Sequence, residues 1–357
     1  NLFCAHCFNH DRQDDVTGET GIKKEMSLEE IEKFSSQLEH LKSITITGGE
    51  PFLRKDIKEI VEIFYKNNGL QYVSIHSHGL LNDRVVSTIR KILEDLPDLR
   101  VIYCTSIDGL EETHNLIRGA KDGFNKTVKT IKDIQKIKDD YFDRLFLLTS
   151  TIFSFTSQAE YIKTIEYIND NLKYVSPRAC FIRGDVRDNI EKNVKDELYN
   201  NYINLTSNNH DKTVNPFSGM ALKETIESLT SEIVMKNHLE KRQTVPCQAG
   251  KKMAVVYENG DVMPCESLSE ESKLGNLRDA NYSLKNILNS NQSKCIVNDI
   301  NPGKKCHCTW ENAIGVSLLY DKKSWLKLLA HWFKLFILRG KFAANVSKLG
   351  TKFTSFL

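Results

Sequence analysis

Apolar positions recur along this chain with two alternating periods. Leu28, Ile31, Phe34 and Leu38 keep the three-and-four spacing of one helix face, and Ser27-Leu28-Glu29-Glu30 before them reads as a capping box. Ser43 to Thr47 is short and rich in β-branched residues, which predicts a strand running into the turn Gly48-Gly49-Glu50-Pro51. Ile57, Ile60, Val61 and Phe64 mark the next helix, with Gly69 just past its end. The alternation continues through a strand at Tyr72 to Ser77, a helix over 82–94 and a strand at Val101 to Ile107. Val128, Ile131, Ile134 and Ile137 then form a helical stripe. A strand at Leu145 to Phe153, a helix at Tyr161 to Ile168 and a strand at Ala179 to Ile182 complete the series.

Strands alternating with helices imply a parallel sheet with right-handed crossovers. Five such strands, with another expected to lead into Cys4, give about six units, short of the eight of a closed barrel. The expected fold class is therefore α/β: a partial, open parallel β/α barrel over residues 1–185. A helical linker follows over 186–243, then a small cysteine-rich C-terminal extension over 244–320 and a basic amphipathic helix over 321–357.

A length of 357 residues allows one large domain or two moderate ones, and 40% hydrophobic with 27% charged residues is the balance of a soluble globular protein. A net charge of +2 gives no global nucleic-acid signature, and no nucleic-acid partner is expected. The nine cysteines are odd in number and cluster at metal-like spacings, which points to metal ligands in a reducing cytoplasm, not to a disulfide framework.

The tail changes this picture locally. Lys322, Lys323, Lys327, Lys334, Arg339, Lys341, Lys348 and Lys352 occur there with no Asp or Glu, interleaved with Trp325, Leu326, Leu328, Leu329, Trp332, Phe333 and Leu335. Lys323, Lys327, His331 and Lys334 are expected along one helical stripe. No stretch free of Lys and Arg approaches the roughly twenty residues a bilayer requires. Residues 322–357 are thus expected to lie on a membrane surface, making the protein peripheral at the inner face, or else to pack on the barrel or a partner subunit.

Cys4 and Cys7, with His6 between them, can grip two corners of one metal centre; alone, that spacing also fits half a zinc site or a redox pair. Gly48-Gly49-Glu50 could let backbone approach a bound small molecule, or simply turn the chain. Ser106-Ile107-Asp108-Gly109 lies at the C-terminal end of its strand, where ligands of parallel sheets sit, though Asp108 could equally cap its own turn. Arg118, taken on its own, reads as an exposed arginine on a solvated helix. His76 and His78 follow the same edge without an assigned role, and Cys104 and Cys180 sit in apolar runs as core residues. Asn259-Gly260 between apolar runs predicts a hairpin that would draw Cys247 and Cys265 together, and Cys306 and Cys308 follow. Four thiolates suit a 4Fe–4S cluster or a structural zinc; spacing leaves Cys295 as a spare.

The stretch from Asn1 to Phe8 resembles the cluster loop of the radical S-adenosylmethionine (radical SAM) superfamily. That loop reads Cys-x-x-x-Cys-x-aromatic-Cys, commonly Cys-Asn-Leu-x-Cys-x-His-Cys-Tyr/Phe. Its first cysteine would precede Asn1 and is expected there in the full-length chain. The resemblance extends to Gly48-Gly49-Glu50 and to His114-x-x-x-Arg118-Gly119 with Gly123-Phe124, an element of the peptide-modifying subgroup. His76-Ser77-His78-Gly79 departs from the Thr-Asn-Gly of many relatives. The pattern Cys247-x(12)-Gly260-x(4)-Cys265, followed by Cys306 and Cys308, resembles the auxiliary-cluster extension called SPASM, or its shorter form, twitch. Asn312 stands where relatives often carry a further cysteine, so one auxiliary cluster is expected.

What the resemblance implies is an enzyme that reductively cleaves S-adenosylmethionine to a 5′-deoxyadenosyl radical, which abstracts hydrogen from a peptide or a lipid or glycan precursor. Cys4 and Cys7 would hold the catalytic 4Fe–4S cluster. Gly48, Gly49, Glu50, Ser106, Asp108 and Arg118 would bind S-adenosylmethionine. Cys247, Cys265, Cys306 and Cys308 would hold a second 4Fe–4S cluster, and a flavodoxin or ferredoxin would supply electrons. The alternative is a non-catalytic iron–sulfur or zinc-binding regulator.

Overall fold

The computed structural model describes residues 2–10, 25–208, 219–300 and 306–338. The chain divides into two compact units, each built from two stretches: Asn1–Lys195 with Ala254–Ile296, and Asp196–Met253 with Val297–Leu357. The part of the predicted basic tail over 339–357 lies outside the described residues.

The first unit is organised on a parallel sheet of β1 (Ser43–Ile46), β2 (Tyr72–Ser77), β3 (Arg100–Ser106), β4 (Leu145–Phe153) and β5 (Val175–Phe181), ordered as in the chain. Between them run α1 (Leu28–Ser35, before β1), α2 (Ile57–Asn68), α3 (Asn82–Asp95), α4 (Glu111–Arg118), α5 (Gly123–Asp140) and α6 (Tyr161–Asn171). This open β/α sheet is the partial barrel the alternation predicts. Among the described residues no strand leads into Cys4, and β1 stands first in the strand order.

Strand alternation sets the two faces apart. Val73, Ile75, Val101, Tyr103, Leu145 and Leu147 pack with Val61, Ile89, Ile92, Ile131 and Ile134 of the helices in one apolar core. Their neighbours Ser74, His76, Cys104, Ser106, Ser150, Arg178 and Cys180 take the opposite face. Cys104 is buried there and Cys180 half-buried, with Ser150 Oγ 3.3 Å from its Sγ. The last strand starts at Val175, four residues before the expected Ala179, and passes through Pro177. Proline donates no ladder hydrogen bond, which an edge strand such as β5 tolerates.

The local signals act as expected at several boundaries. Ser27 Oγ accepts from the Glu30 amide at 3.3 Å and Glu30 Oε2 accepts from the Ser27 amide at 3.0 Å, closing the capping box. Gly69 ends α2 at φ +63°, the left-handed cap that favours glycine.

The 254–296 stretch of this unit forms a small antiparallel sheet, β6 (Val255–Val256), β7 (Asp261–Met263) and β8 (Gly275–Asn276), with the predicted hairpin turn at Asn259-Gly260. Its Val262, Leu274, Leu277 and Ile287 pack with Met26, Ile31 and Phe34. Glu30 accepts from Arg278 Nε at 2.6 Å and Nη2 at 3.1 Å, and the Met26 amide donates to Glu258 O at 2.7 Å. Two helices, α9 (Leu284–Asn289) and α10 (Asn291–Ile300), stand in the cysteine-rich extension, each too short to carry a clear helical period in the sequence.

The second unit is helical: α7 (Asp196–Asn208), α8 (Gly219–Glu240), α11 (Glu311–Tyr320) and α12 (Lys322–Trp332), the last running on as a π turn over Phe333–Leu338. Helix α8 packs against the other three. Leu229, Ile233, Val234, Ile314, Leu318, Leu328 and Leu335 are buried.

Candidate active site and cysteine clusters

The opening loop is pinned at both ends of its turn. The Cys7 amide donates to Cys4 O at 3.2 Å, and the Ala5 amide to Ile117 O at 2.9 Å on the last turn of α4. From beyond β5, the Arg187 amide donates to Cys7 O at 3.1 Å and the Asp188 amide to Ala5 O at 2.9 Å. Gly184 makes this closeness possible: it stands at φ +73°, and a Cβ there would lie 2.9 Å from Phe8 Cβ. The Arg183 guanidinium lies over the Phe8 ring at 5.1 Å, and Arg187 over Phe3 at 5.2 Å.

Asp108 is the hub beneath this loop. It is fully buried just past β3, where Oδ1 accepts the Ile152 amide at 2.8 Å. Its Oδ2 accepts Arg118 Nε at 2.6 Å and Nη2 at 2.5 Å. Arg118 Nη1 in turn points at Cys4 Sγ, 3.7 Å away. Burial alone would push the Asp108 carboxyl up, but Arg118 and the His6 and His114 imidazoles outweigh it and hold it below its ordinary value. Burial likewise opposes the Arg118 charge, yet Asp108 and Cys4 raise its pKa.

Two imidazoles flank the hub. His6 Nε2 lies 3.6 Å from Asp108 Oδ2, and His114 Nδ1 accepts the Asp108 amide at 3.1 Å. That acceptor role puts the His114 proton on Nε2. Burial lowers both pKa values to about 4, so both rings are neutral at physiological pH. His6 Nδ1 and His114 Nε2 are buried without a hydrogen-bond partner among the described residues. Orphaned polar atoms beside a paired-cysteine loop are what a bound polar group leaves unfilled.

Glu50 is a second buried anchor at the same sheet edge. Oε1 accepts the Phe52 amide at 3.1 Å and Ser77 Oγ at 3.0 Å, and Oε2 accepts the His78 amide at 2.9 Å. His78 Nδ1 accepts the Leu80 amide at 3.0 Å, so Nε2 carries the proton and faces Glu50 Oε2 at 3.2 Å. Burial lowers the His78 pKa to about 4, which makes this contact a neutral imidazole donating to the carboxyl, not an ion pair. Burial also raises the Glu50 pKa. Gly48 precedes it at φ +134° with no heavy atom within 4 Å of where a Cβ would stand, an open ledge of backbone. Ser106, half-buried, ends β3 opposite Ser150 in register.

In the second unit Cys247 and Cys308 line one cavity with Asn237, Val245 and Ile314. The Ala249 amide donates to Cys247 Sγ at 3.4 Å and the Trp310 amide to Cys308 Sγ at 3.3 Å. Both are contacts that favour thiolates. Buried Asn237 ties the two segments: Nδ2 donates to Cys308 O at 2.8 Å, while Oδ1 accepts the Thr244 amide at 2.9 Å. The Cys306 side chain, then burial, pushes the Cys308 thiol well up. Cys265 is buried in the first unit, next to Glu266, which pairs with Arg183 at 2.5 Å. Cys295 is exposed on α10.

The structure therefore brings Cys4, Cys7, Asp108 and Arg118 into one network. Sequence reading had left His6, Ser77, His78, His114 and Asn237 without a role. The signal for His78 was present, as a polar residue at the C-terminal end of a parallel strand. Asn237 gives no such signal within a helix.

Residues 1–168 match the radical SAM superfamily, and residues 247–309 match SPASM, an iron–sulfur cluster-binding domain. The antilisterial bacteriocin subtilosin biosynthesis protein AlbA of Bacillus subtilis is 23% identical over 293 residues, 81% of this chain and 57% of that protein. The sporulation killing factor maturation protein SkfB of the same organism is 30% identical over 38% of this chain and 30% of its own. The Fe-coproporphyrin III synthase of Methanosarcina barkeri is 27% identical over 38% of this chain and 31% of that protein. The chain thus spans a third to somewhat over half the length of these relatives. Among solved structures, anSMEcpe with bound AdoMet and the Kp18Cys peptide shares the fold at a TM-score of 0.57 and 18% identity, covering 97% of this chain and 96% of that one.

Proposed function

Since residues 1–168 belong to the radical SAM superfamily and residues 247–309 to the SPASM cluster-binding domain, we propose that this protein is a radical SAM enzyme that modifies a peptide. Membership brings S-adenosylmethionine, a 4Fe–4S cluster and an auxiliary iron–sulfur cluster. The residues fit these groups: paired cysteines on a pinned loop, thiols that accept backbone amides, and two orphaned imidazole nitrogens. Held at the cysteine loop, the cluster would supply one-electron reductive cleavage of S-adenosylmethionine.

The chain's own residues hold and orient. Cys4 and Cys7 ligate that cluster. Arg118 donates to the Cys4 thiolate, and Asp108 fixes the guanidinium so that the donor is aimed before any ligand arrives. The Gly48-Gly49 ledge and Ser106 present backbone and hydroxyl to S-adenosylmethionine. Glu50 holds the ledge in place through Ser77 and His78 while its carboxyl faces the same edge. Cys247, Cys306 and Cys308 ligate the auxiliary cluster, and Cys265 falls within the same SPASM match. Nine cysteines, none of them in a disulfide among the described residues, suit the reducing cytoplasm, where a flavodoxin or ferredoxin type carrier delivers single electrons.

Peptide modification is supported by the names of the relatives, a bacteriocin biosynthesis protein and a killing-factor maturation protein, and by the peptide bound in the structural neighbour. The observation that carries the reading is the Asp108–Arg118–Cys4 relay at the edge of the parallel sheet. Anaerobically reduced full-length protein should release 5′-deoxyadenosine from S-adenosylmethionine, and the Cys4→Ala, Cys7→Ala protein should release none. Equal nucleoside from both would refute it.

A further inference from the structure

Helix α12 has three faces, and only one is spent on the fold. Ser324, Leu328, His331 and Leu335 recur at four, three and four residues and are buried. His331 Nε2 lies 3.0 Å from Ser228 Oγ of α8, and its Nδ1 lies 3.8 Å from Glu232 Oε2. The basic stripe read from the sequence is thereby corrected: His331 is a packing residue, and Lys323, Lys327 and Lys334 remain exposed, Lys334 with its Nζ 3.8 Å from Glu232 Oε1.

The outward face is apolar. Trp325 is 55% exposed, Leu326 74%, Leu329 61% and Phe333 47%. At 3.6 residues per turn these four positions form one continuous stripe. The Trp325 indole N–H is already satisfied by Leu319 O at 2.9 Å, so its ring is presented without an unmet donor. Leu319 and Tyr320, exposed at the end of α11, extend the patch. Large exposed apolar residues gathered this way mark a contact surface.

Charge identifies what makes the contact. Lys323, Lys327 and Lys334 flank the stripe along one side, and Lys322 stands at its start. From Lys322 to Leu357 the sequence holds eight Lys and Arg and no acidic residue. We infer that the exposed face of α12 seats on an anionic lipid surface, the aromatic and leucine side chains entering the headgroup boundary and the lysines meeting lipid phosphate. A second copy of the chain is a poorer occupant, because an antiparallel two-fold contact through this stripe would bring the two basic rows together. Crossing is not the mode: among the described residues no helix is long and apolar enough to span a membrane. The inference is independent of the catalytic reading.

The test uses full-length protein and sedimented vesicles of phosphatidylcholine with or without phosphatidylglycerol. The protein should bind the anionic vesicles, lose most of that binding between low and high salt, and bind pure phosphatidylcholine at least tenfold more weakly. The exposed triple variant Leu326→Ser, Leu329→Ser, Phe333→Ser and the charge variant Lys323→Glu, Lys327→Glu should each weaken binding roughly tenfold or more with unchanged circular dichroism. Unaltered vesicle binding in both variants would overturn the proposal. So would a triple variant that changes the protein's oligomeric state while leaving vesicle binding intact, which would assign the stripe to a second copy.

Discussion

Replacing Asp108 by Asn keeps the shape of the side chain and removes one charge from the centre of the site. Oδ1 can still accept the Ile152 amide, but Arg118 loses the anion that two of its nitrogens reach at 2.5 and 2.6 Å. Asp108 is wholly buried and the Arg118 side chain only 12% exposed, so the guanidinium cannot turn to water. Leaving one member of a buried pair uncompensated costs about 3–5 kcal/mol. For a unit of this size that corresponds to a fall in Tm of roughly 10 °C. Anaerobic thermal and urea unfolding of the full chain should show it. The double variant Asp108→Asn, Arg118→Met removes both charges and should recover more than half the loss. The Asp108 carboxyl is held below its ordinary value, so its stabilisation is complete above that value and fades as pH falls through the lower, folded one. The gap between the parent protein and Asp108→Asn should therefore be full at pH 6 and close below about pH 4. An Asp108→Asn protein as stable as the parent at pH 7, or strictly additive single variants, would refute the reasoning.

Other outcomes follow from the same geometry. Reconstituted protein carrying Cys247→Ala and Cys308→Ala should retain about half the parent's iron, one of two equal clusters being lost; zinc at that site in the parent would contradict the assignment. Gly184→Ala forces a Cβ to within 2.9 Å of Phe8 Cβ at a left-handed backbone, so iron at the Cys4–Cys7 loop should be retained more weakly while the auxiliary iron is unchanged, as metal analysis after chelator challenge would report. His76 has its pKa lowered to about 4 by burial, with Arg178 adding to the effect. The unfolded imidazole binds its proton at higher pH, so this residue costs stability as pH drops from 6.5 towards 4. His76→Gln should flatten that part of the stability curve by about 3 kcal/mol, and an unchanged slope would exclude it.

The alternation of periods made the parallel sheet legible, because each helix presents one apolar stripe to a strand that supplies every second side chain to the same core. Ser27, Glu30, Gly69 and Gly260 were legible for a different reason: caps and turns are decided within a few residues. The start of β5 was not, since Pro177 and Arg178 look unlike a strand until the sheet order makes β5 an edge. The paired cysteines and the Gly48-Gly49-Glu50 turn could be read as a candidate site, but its electrostatics could not. Asp108, Arg118, His6 and Cys4 meet only after more than a hundred residues of chain are folded back, and which group Arg118 addresses first is a matter of distance. His78 showed only position; its link to Glu50 depends on a tautomer set by the Leu80 amide.

The order in which the ribosome delivers this chain bears on how the first unit closes. Glu30 and Arg278 are separated by 248 residues, and synthesis at about 5–20 residues per second puts roughly 12–50 s between them. Through that interval Met26, Ile31 and Phe34 lack the Val262, Leu274 and Leu277 side chains that cover them in the finished protein. The nascent barrel therefore waits with an apolar seam open while residues 196–253, which belong to the other unit, emerge. A chain stopped at residue 253 would keep that seam permanently, and its fate in the cell would be decided by chaperones and proteases instead of by its own core.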